Sequence, residues 1–349
     1  MIRSLMLLLF LAIGHYKSMA QTTERHMIAF YNVENLFDTI DDPATLDESM
    51  LPLADREWTD DRYQHKIASV ARVISDMTCD GHLPAIVGLA EVENRGVLEL
   101  LTSHPTIKSA TYQICHFDSP DSRGIDVALL YRPELFIPTD ARAVPVTISD
   151  IPYFSTRDIL VVRGKFCDED FMFVVVHWPS RIGGMVETEH LRMACARKVR
   201  EITDTEMYQN PDCKIVILGD MNDNPLNRSL RKVLQARCSP RGLRPDEFYN
   251  PFARRFGIGS SRYNGKWNHF DNIILSANLV GASNAQIYFD PTQKRNSVAY
   301  VFRRDYMCNK RGYPLRTYQG AEYTGGISDH LPVCLIIQQS LGKRIKSSK

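Results

Sequence analysis

Lys214-Ile-Val-Ile-Leu-Gly-Asp-Met-Asn-Asp223 is the stretch on which the reading of this chain turns. Ile215 to Leu218 is an apolar run too short for a helix and right for a buried strand. Gly219 is expected to break that strand and let the backbone turn tightly. Asp220 and Asn222 then stand at its mouth. A carboxylate and a carboxamide in that position suit a hard cation, a water and a phosphate. An ordinary Asx-type turn after a strand has the same residues. What separates the two readings is whether other strands end alike.

They do. His26 to Phe30 reads as a strand leading into Asn32, and Ile86 to Ala90 as one leading into Glu91. Ile159 to Phe166 and Phe171 to Val176 form a hairpin about Cys167 to Asp170, and His177 follows it. Asp271 opens the strand Asn272 to Leu275, and Asp329-His330 opens Pro332 to Ile337. If the last two strands run opposite to the others, all these side chains meet at one rim. Chance would scatter them over both ends.

Between the strands lie amphipathic helices. Ile67, Val70, Ala71, Ile74 and Met77 recur at helical spacing, with Asp60 or Asp61 as candidate caps. Further helices are expected over Gly96 to Leu101, Glu187 to Tyr208 and Ser229 to Ala236. Leu191, Cys195, Val199 and Ile202 mark the inner face of the long one. No linker divides the chain. The pattern of strands with short turns, interrupted by a few helices, points to two packed sheets with helices outside.

The bulk properties set bounds. The 349 residues are 44% hydrophobic and 24% charged, an ordinary globular composition. Forty-two Lys and Arg balance 41 Asp and Glu, a net charge of +1. That excludes a strongly basic, non-specific nucleic-acid binder, though not a local basic groove. The start of the chain has the layout of a secretory signal: Arg3, then apolar Leu5 to Ile13, then Ser18-Met19-Ala20. Residues 1–20 are therefore read as a signal peptide and 21–349 as one exported domain, secreted or periplasmic, with no stable membrane insertion. None of the 8 cysteines forms a CxxC, so zinc-knuckle and thioredoxin readings fail.

The inventory at the strand ends is carboxylates, amides and two histidines. Oxygen-rich ligation favours Mg2+ or Mn2+, with Ca2+ next, over zinc. Hard cations with imidazoles and amides fit transfer of a phosphoryl group to water. No GxxxxGK[ST] loop and no GxSxG occur.

Taken in order, Asn32, Glu91, His177, Gly219-Asp-Met-Asn222, Asp271 and Ser328-Asp-His330 resemble the motifs of the endonuclease/exonuclease/phosphatase superfamily, over residues 27 to 337. Deoxyribonuclease I, AP endonucleases, sphingomyelinases and inositol-polyphosphate 5-phosphatases belong to it. Tyr31-Asn-Val-Glu-Asn-Leu-Phe37 and His177-Trp-Pro-Ser-Arg181 look closest to exported bacterial members. The resemblance implies an α/β fold, a four-layered α/β-sandwich of two mainly antiparallel sheets flanked by helices. It also implies roles. Asn32 and Glu91 would hold the metal, with Asp329 close by. Asp220 would orient or deprotonate the attacking water, and Asn222 would steady the phosphate. His330 would contact the scissile phosphate, with Asp271 fixing its tautomer. His177 stands where deoxyribonuclease I-like members carry a first catalytic histidine. From the geometry of its fork, Arg181 is a candidate phosphate clamp.

The expectation is thus a monomeric, metal-dependent phosphoesterase acting by in-line water attack. A nuclease or phosphodiesterase is the first reading, with basic residues between Arg303 and Arg316 as a candidate backbone-tracking groove. A phosphatase or sphingomyelinase-like enzyme is the alternative, favoured by aromatic residues such as Tyr263, Trp267 and Tyr318 beside the site. A binding protein that kept the fold without catalysis is the third.

Overall fold

The computed structural model describes residues 23–253, 257–281 and 286–341. The N-terminal leader and the basic tail from Lys343 lie outside the described residues. Ten principal strands and three helices carry the fold. They are β1 (Thr23–Leu36), α1 (Asp60–Asp76), β2 (Ile86–Val92), α2 (Arg95–Ser103), β3 (Gln113–His116), β4 (Asp126–Tyr131) and β5 (Phe136–Val144). Then follow β6 (Ile159–Phe166), β7 (Glu169–His177), α3 (Glu189–Gln209), β8 (Lys214–Asp220), β9 (Asp271–Ser276) and β10 (Val333–Ser340).

One sheet runs β10-β1-β2-β4-β3, with short strands added on β10; the other runs β5-β6-β7-β8-β9 and continues into Phe248–Tyr249 and Ala236–Arg237. Each is mainly antiparallel around one central parallel pair, β1 with β2 and β7 with β8. β9 and β10 do run opposite to their neighbours β8 and β1. That is the condition under which residues before those two strands meet residues after the others.

The period-2 alternation sorts each strand between two cores. Val216 and Leu218 of β8, with Phe171, Phe173 and Val175 of β7, fill the space between the sheets. Ile215, Ile217, Met172, Val174 and Val176 point the other way, onto Cys195, Ala196, Val199 and Ile202 of α3. On the far side, α1 lays Ile67, Val70, Ala71 and Ile74 on the first sheet, beside α2. The layers are helix, sheet, sheet, helix. A fully buried side chain of this kind stabilises the fold by about 1.5–3 kcal/mol.

Three local expectations need correction. Gly219 does not end its strand: it stays in register between Val176 and Asn272. A Cβ there would fall 2.1 Å from the Val176 carbonyl oxygen, so the glycine serves close strand approach and not a turn. Helix α1 is capped by neither Asp60 nor Asp61; Thr59 is the cap residue and the two acids lie in the first turn, where the helix dipole favours them. In place of a helix over Ser229 to Ala236 there is a single wide turn, Ser229–Val233.

All 8 cysteines carry free thiols. No helix among the described residues is long and apolar enough to cross a membrane.

Candidate active site

The ends of β1, β2, β7 and β8 and the turn before β10 close around one cavity of about 510 Å³, with Asp271 at the start of β9 bonded to His330 in its wall. Register does most of the assembly. His177 lies opposite Asp220 across the parallel pair, and Asp271 opposite Asp220 across the antiparallel one. By alternation these three share the inner side of their sheet with Val175, Leu218 and Ile273.

The first sheet supplies its residues by bulges. Register shifts after Asn32 in β1 and between Ala90 and Val92 in β2. Glu34, Asn35 and Glu91 take φ of 53°, 53° and 64°, and Asn222 in the turn after β8 takes 49°. Non-glycine residues in this left-handed region cost roughly 1–3 kcal/mol each and persist where the surroundings hold them. Here the bulges turn side chains out of the sheet toward the rim.

Asp220 is the hub. Its Oδ2 accepts from Asn32 Nδ2 at 3.1 Å, and the same amide donates to Glu91 Oε1 at 3.2 Å. His177 Nε2 lies 3.7 Å from Asp220 Oδ2 and 3.8 Å from Glu91 Oε1, and His330 Nε2 lies 3.7 Å from Asp220 Oδ2. Asp271 Oδ2 meets His330 Nδ1 at 2.7 Å. Ser328 ties the turn to β1: its hydroxyl donates to the Asn32 carbonyl at 2.7 Å and accepts from His330 N at 3.0 Å. Asp329 pairs with Arg316 at 3.0 Å. Asn222 donates from its backbone N–H to Asp220 Oδ1 and from its carboxamide to the Trp178 carbonyl.

The electrostatics divide the two imidazoles. Burial, then Arg157, Arg123 and His330, hold His177 well below its usual pKa, so it is neutral and its 3.7–3.8 Å contacts to carboxylates are not ion pairs. His330 is buried too, yet Asp271, Asp220 and Asp329 outweigh that and lift it well above the ordinary value. It is an imidazolium at neutral pH. Burial pushes the Asp220 carboxyl up to about 6, against the pull of His330. Burial also raises Glu34 and Asp329.

Carboxylates held up by desolvation and mutual repulsion are what a bound cation would relieve. Asp220, Asp271 and His330 cluster within 4.8 Å, and with His330 protonated the oxygens of Asp220 and of the adjoining Glu91 and Asn32 are the donors left for such an ion. The donors are mostly oxygen, which fits a hard divalent ion.

Arg181 is a correction. Its guanidinium donates to the Asn222 carbonyl (2.8 Å), Asp223 (2.9 Å) and Asn227 (3.2 Å), and packs over the Phe270 ring. Those bonds leave it behind the cavity wall, positioning Asn222 instead of clamping a substrate. Asp126 accepts from Ser119 and faces His116, fixing the loop that carries Asp121 and Arg123. Of the basic residues from Arg303 to Arg316, only Arg316 lines the cavity.

The sequence reading missed Arg157. Buried beside the site, it ion-pairs with Asp121 at 2.9 Å and donates to the His177 and Trp178 carbonyls. The signal was in the hairpin: the register Leu160↔Val175 carries the start of β6 back toward the end of β7.

The family model described as "Endonuclease/Exonuclease/phosphatase family" matches residues 27–339. No curated protein matches the chain. Several solved structures share the fold. An endonuclease/exonuclease/phosphatase family protein from Bacteroides thetaiotaomicron is 15% identical with a TM-score of 0.56, covering 92% of this chain and 98% of that one. A mannosyl-6-phosphatase from the same organism is 16% identical with a TM-score of 0.55, covering 89% and 99%. D. rerio TDP2 complexed with single strand DNA product is 14% identical with a TM-score of 0.53, covering 90% and 98%. At such identities the likeness speaks for the fold alone.

Proposed function

The chain belongs to the endonuclease/exonuclease/phosphatase family and is a hydrolase of phosphoester bonds, and from that premise we propose how its own residues do the work. The observation that carries the reading is Asp220 Oδ2, which stands within 3.7 Å of both imidazoles and 3.1 Å of the Asn32 amide. A base, an acid and an oriented amide thus face one small volume.

Asp220 orients the attacking water and takes its proton. Burial has brought its carboxyl to about 6, close to working pH, where a general base is most effective. His330, charged and held by Asp271, donates to a non-bridging oxygen of the phosphoester as charge builds there. Asn222 borders the same space and steadies the phosphate. His177, kept neutral, offers a hydrogen bond without adding charge. Glu91 and Asn32 would hold a divalent ion, Mg2+ or Mn2+, with Asp329 close by. Such an ion, when bound, supplies Lewis-acid neutralisation of phosphate charge.

The n-h-c layout of residues 1–20 supports export. As to substrate, the neighbours' names include both a mannosyl-6-phosphatase and a protein with a single strand DNA product. A nucleic-acid reading draws support from a basic groove, and here the arginines lining the cavity are already paired, Arg123 and Arg157 with Asp121 and Arg316 with Glu34 and Asp329. This shifts weight toward small phosphoesters.

The test is a substrate panel. The mature protein is incubated with plasmid DNA, sphingomyelin and p-nitrophenyl phosphate esters, with magnesium, with manganese or with chelator. Chelator-sensitive hydrolysis is expected, falling roughly 10²–10⁴-fold or more in Asp220→Ala and His330→Ala. No hydrolysis on any substrate, or full activity in both variants, refutes the proposal.

A further inference from the structure

The hairpin of β6 and β7 is zipped only as far as the Leu160–Val175 pair. β6 starts at Ile159, so the His177 and Trp178 carbonyls lie past the last rung of that ladder. Both residues are buried. Carbonyls in such a place need donors other than a strand. Arg157 supplies them. Its Nε donates to the His177 carbonyl at 3.2 Å and its Nη2 to the Trp178 carbonyl at 2.8 Å, while Nη1 donates to Asp121 Oδ2 at 2.9 Å. Arg157 thus borders the cavity with each side-chain nitrogen already engaged by the protein.

The Trp178 carbonyl is shared. It also accepts from the Asn222 carboxamide at 3.0 Å, and the Trp178 N–H donates to the Asp220 carbonyl at 2.9 Å. One short piece of backbone therefore carries His177, receives Arg157 and seats Asn222. The counter-charge comes from the other sheet. Asp121 lies in the loop before β4, and its Oδ1 accepts from the Arg123 N–H at 3.0 Å, which fixes the carboxylate within that loop. The Ser155 hydroxyl donates to the Pro120 carbonyl, a second tie between the same two loops. Asp121 and Arg157 are both buried, where solvent screens an ion pair little. The Asp271–His330 bond joins the sheets on one side of Asp220, and the Asp121–Arg157 pair joins them again beside His177.

Resting on the phosphoesterase reading above, we infer that Arg157, anchored by Asp121, is the positioning residue that holds His177 and Asn222 as one unit toward the substrate phosphate. It acts through the backbone of residues 177 and 178 and not on the phosphate itself. The planar fork is what the task requires. A lysine ammonium is a point donor, unable to serve two successive carbonyls and a carboxylate together.

The test reads kcat and KM of the mature protein on p-nitrophenyl phosphate and bis(p-nitrophenyl) phosphate with magnesium, beside denaturant midpoints. Arg157→Lys is expected to lower kcat at least tenfold while KM changes less than threefold. In an Asn222→Ala background the same substitution should lower kcat threefold or less, because a group it acts through is gone. Equal factors in the two backgrounds, an unchanged kcat, or a loss carried by KM overturns the inference. Asp121→Asn keeps the guanidinium and removes its anchor; it should reproduce the kcat signature, and it carries the test should Arg157→Lys not fold. Solvent exchange of the Asn222 side-chain amide, followed by NMR, decides the matter without turnover. Exchange at least tenfold faster in Arg157→Lys or Asp121→Asn than in wild type supports the coupling, and unchanged exchange rejects it. Failure of the parent reading looks different: wild type shows no chelator-sensitive hydrolysis of any phosphoester, while the NMR comparison still reads the coupling.

Discussion

Asp271 Oδ2 sits 2.7 Å from His330 Nδ1, although 59 residues separate them along the chain. The bond leaves Nε2 facing Asp220 and fixes which ring nitrogen is presented to the cavity. It joins the start of β9 in one sheet to the turn before β10 in the other.

Asp271→Asn keeps the shape and removes the charge. The imidazole loses the largest of the interactions that raise its pKa. Its titration should drop toward the ordinary value near 6.5 or below, measured by NMR of the His330 ring. With less imidazolium and a tautomer no longer enforced, kcat should fall roughly 10²–10⁴-fold. An unshifted titration with unchanged kcat would show that the bond is incidental.

Lys66 is buried and donates to the Glu34 carbonyl (2.9 Å), the Thr317 hydroxyl (2.6 Å) and the Ile327 carbonyl. Burial brings its pKa from 10.5 down to about 8. The sign follows from proton binding. Below pH 8 both folded and unfolded chains hold the proton, and the folded one bears the full cost of a buried charge. Between about 8 and 10.5 the unfolded chain binds more proton, so this residue's contribution turns more favourable as pH rises. Urea unfolding of wild type and Lys66→Met across that window should show wild type gaining relative to the variant by roughly 3 kcal/mol. At pH 7 the variant should itself be less stable, since three buried acceptors lose their donor, each worth roughly 1–3 kcal/mol at most.

Gly219→Ala places a methyl 2.1 Å from a backbone oxygen of β7. Backbone cannot swing aside as a side chain can, so β7 and β8 must part. Overpacking of this kind costs about 1–3 kcal/mol. The denaturant midpoint should fall, and turnover should fall further than stability alone explains, because Asp220 and His177 end those two strands. A variant as stable and active as wild type would contradict the register.

Arg181→Lys keeps the charge but not the fork. A single ammonium cannot hold the Asn222 carbonyl, Asp223 and Asn227 together. Asn222, already at positive φ, should lose its fixed position. The expected signature is a roughly tenfold fall in kcat with a smaller change in KM. A pure KM effect would restore Arg181 as a substrate clamp.

Much of this site was legible because it is written at strand ends. An apolar run, then Asp220 or His177, is visible without coordinates, and the antiparallel course of β9 and β10 brings the rest around. What escaped depends on pairing and packing. β5 carries Pro138 and several exposed residues and pairs on one side only, so it lacks strand periodicity; proline is tolerated there because it is an edge. The bulges at Glu34, Asn35 and Glu91 hold no glycine to announce a left-handed backbone. Arg157 and Arg181 look like surface charges until burial shows their carbonyl and carboxylate partners.

β1 and β10 are the first and last strands described, and they lie side by side, from Thr23 opposite Ser340 to Phe30 opposite Val333. A fragment that stops before β10 keeps Asn32 and Glu91 but can lack His330. In it β1 keeps β2 on one edge and is bare on the other. Such a fragment is therefore expected to be both unfinished as a structure and harmless as an enzyme.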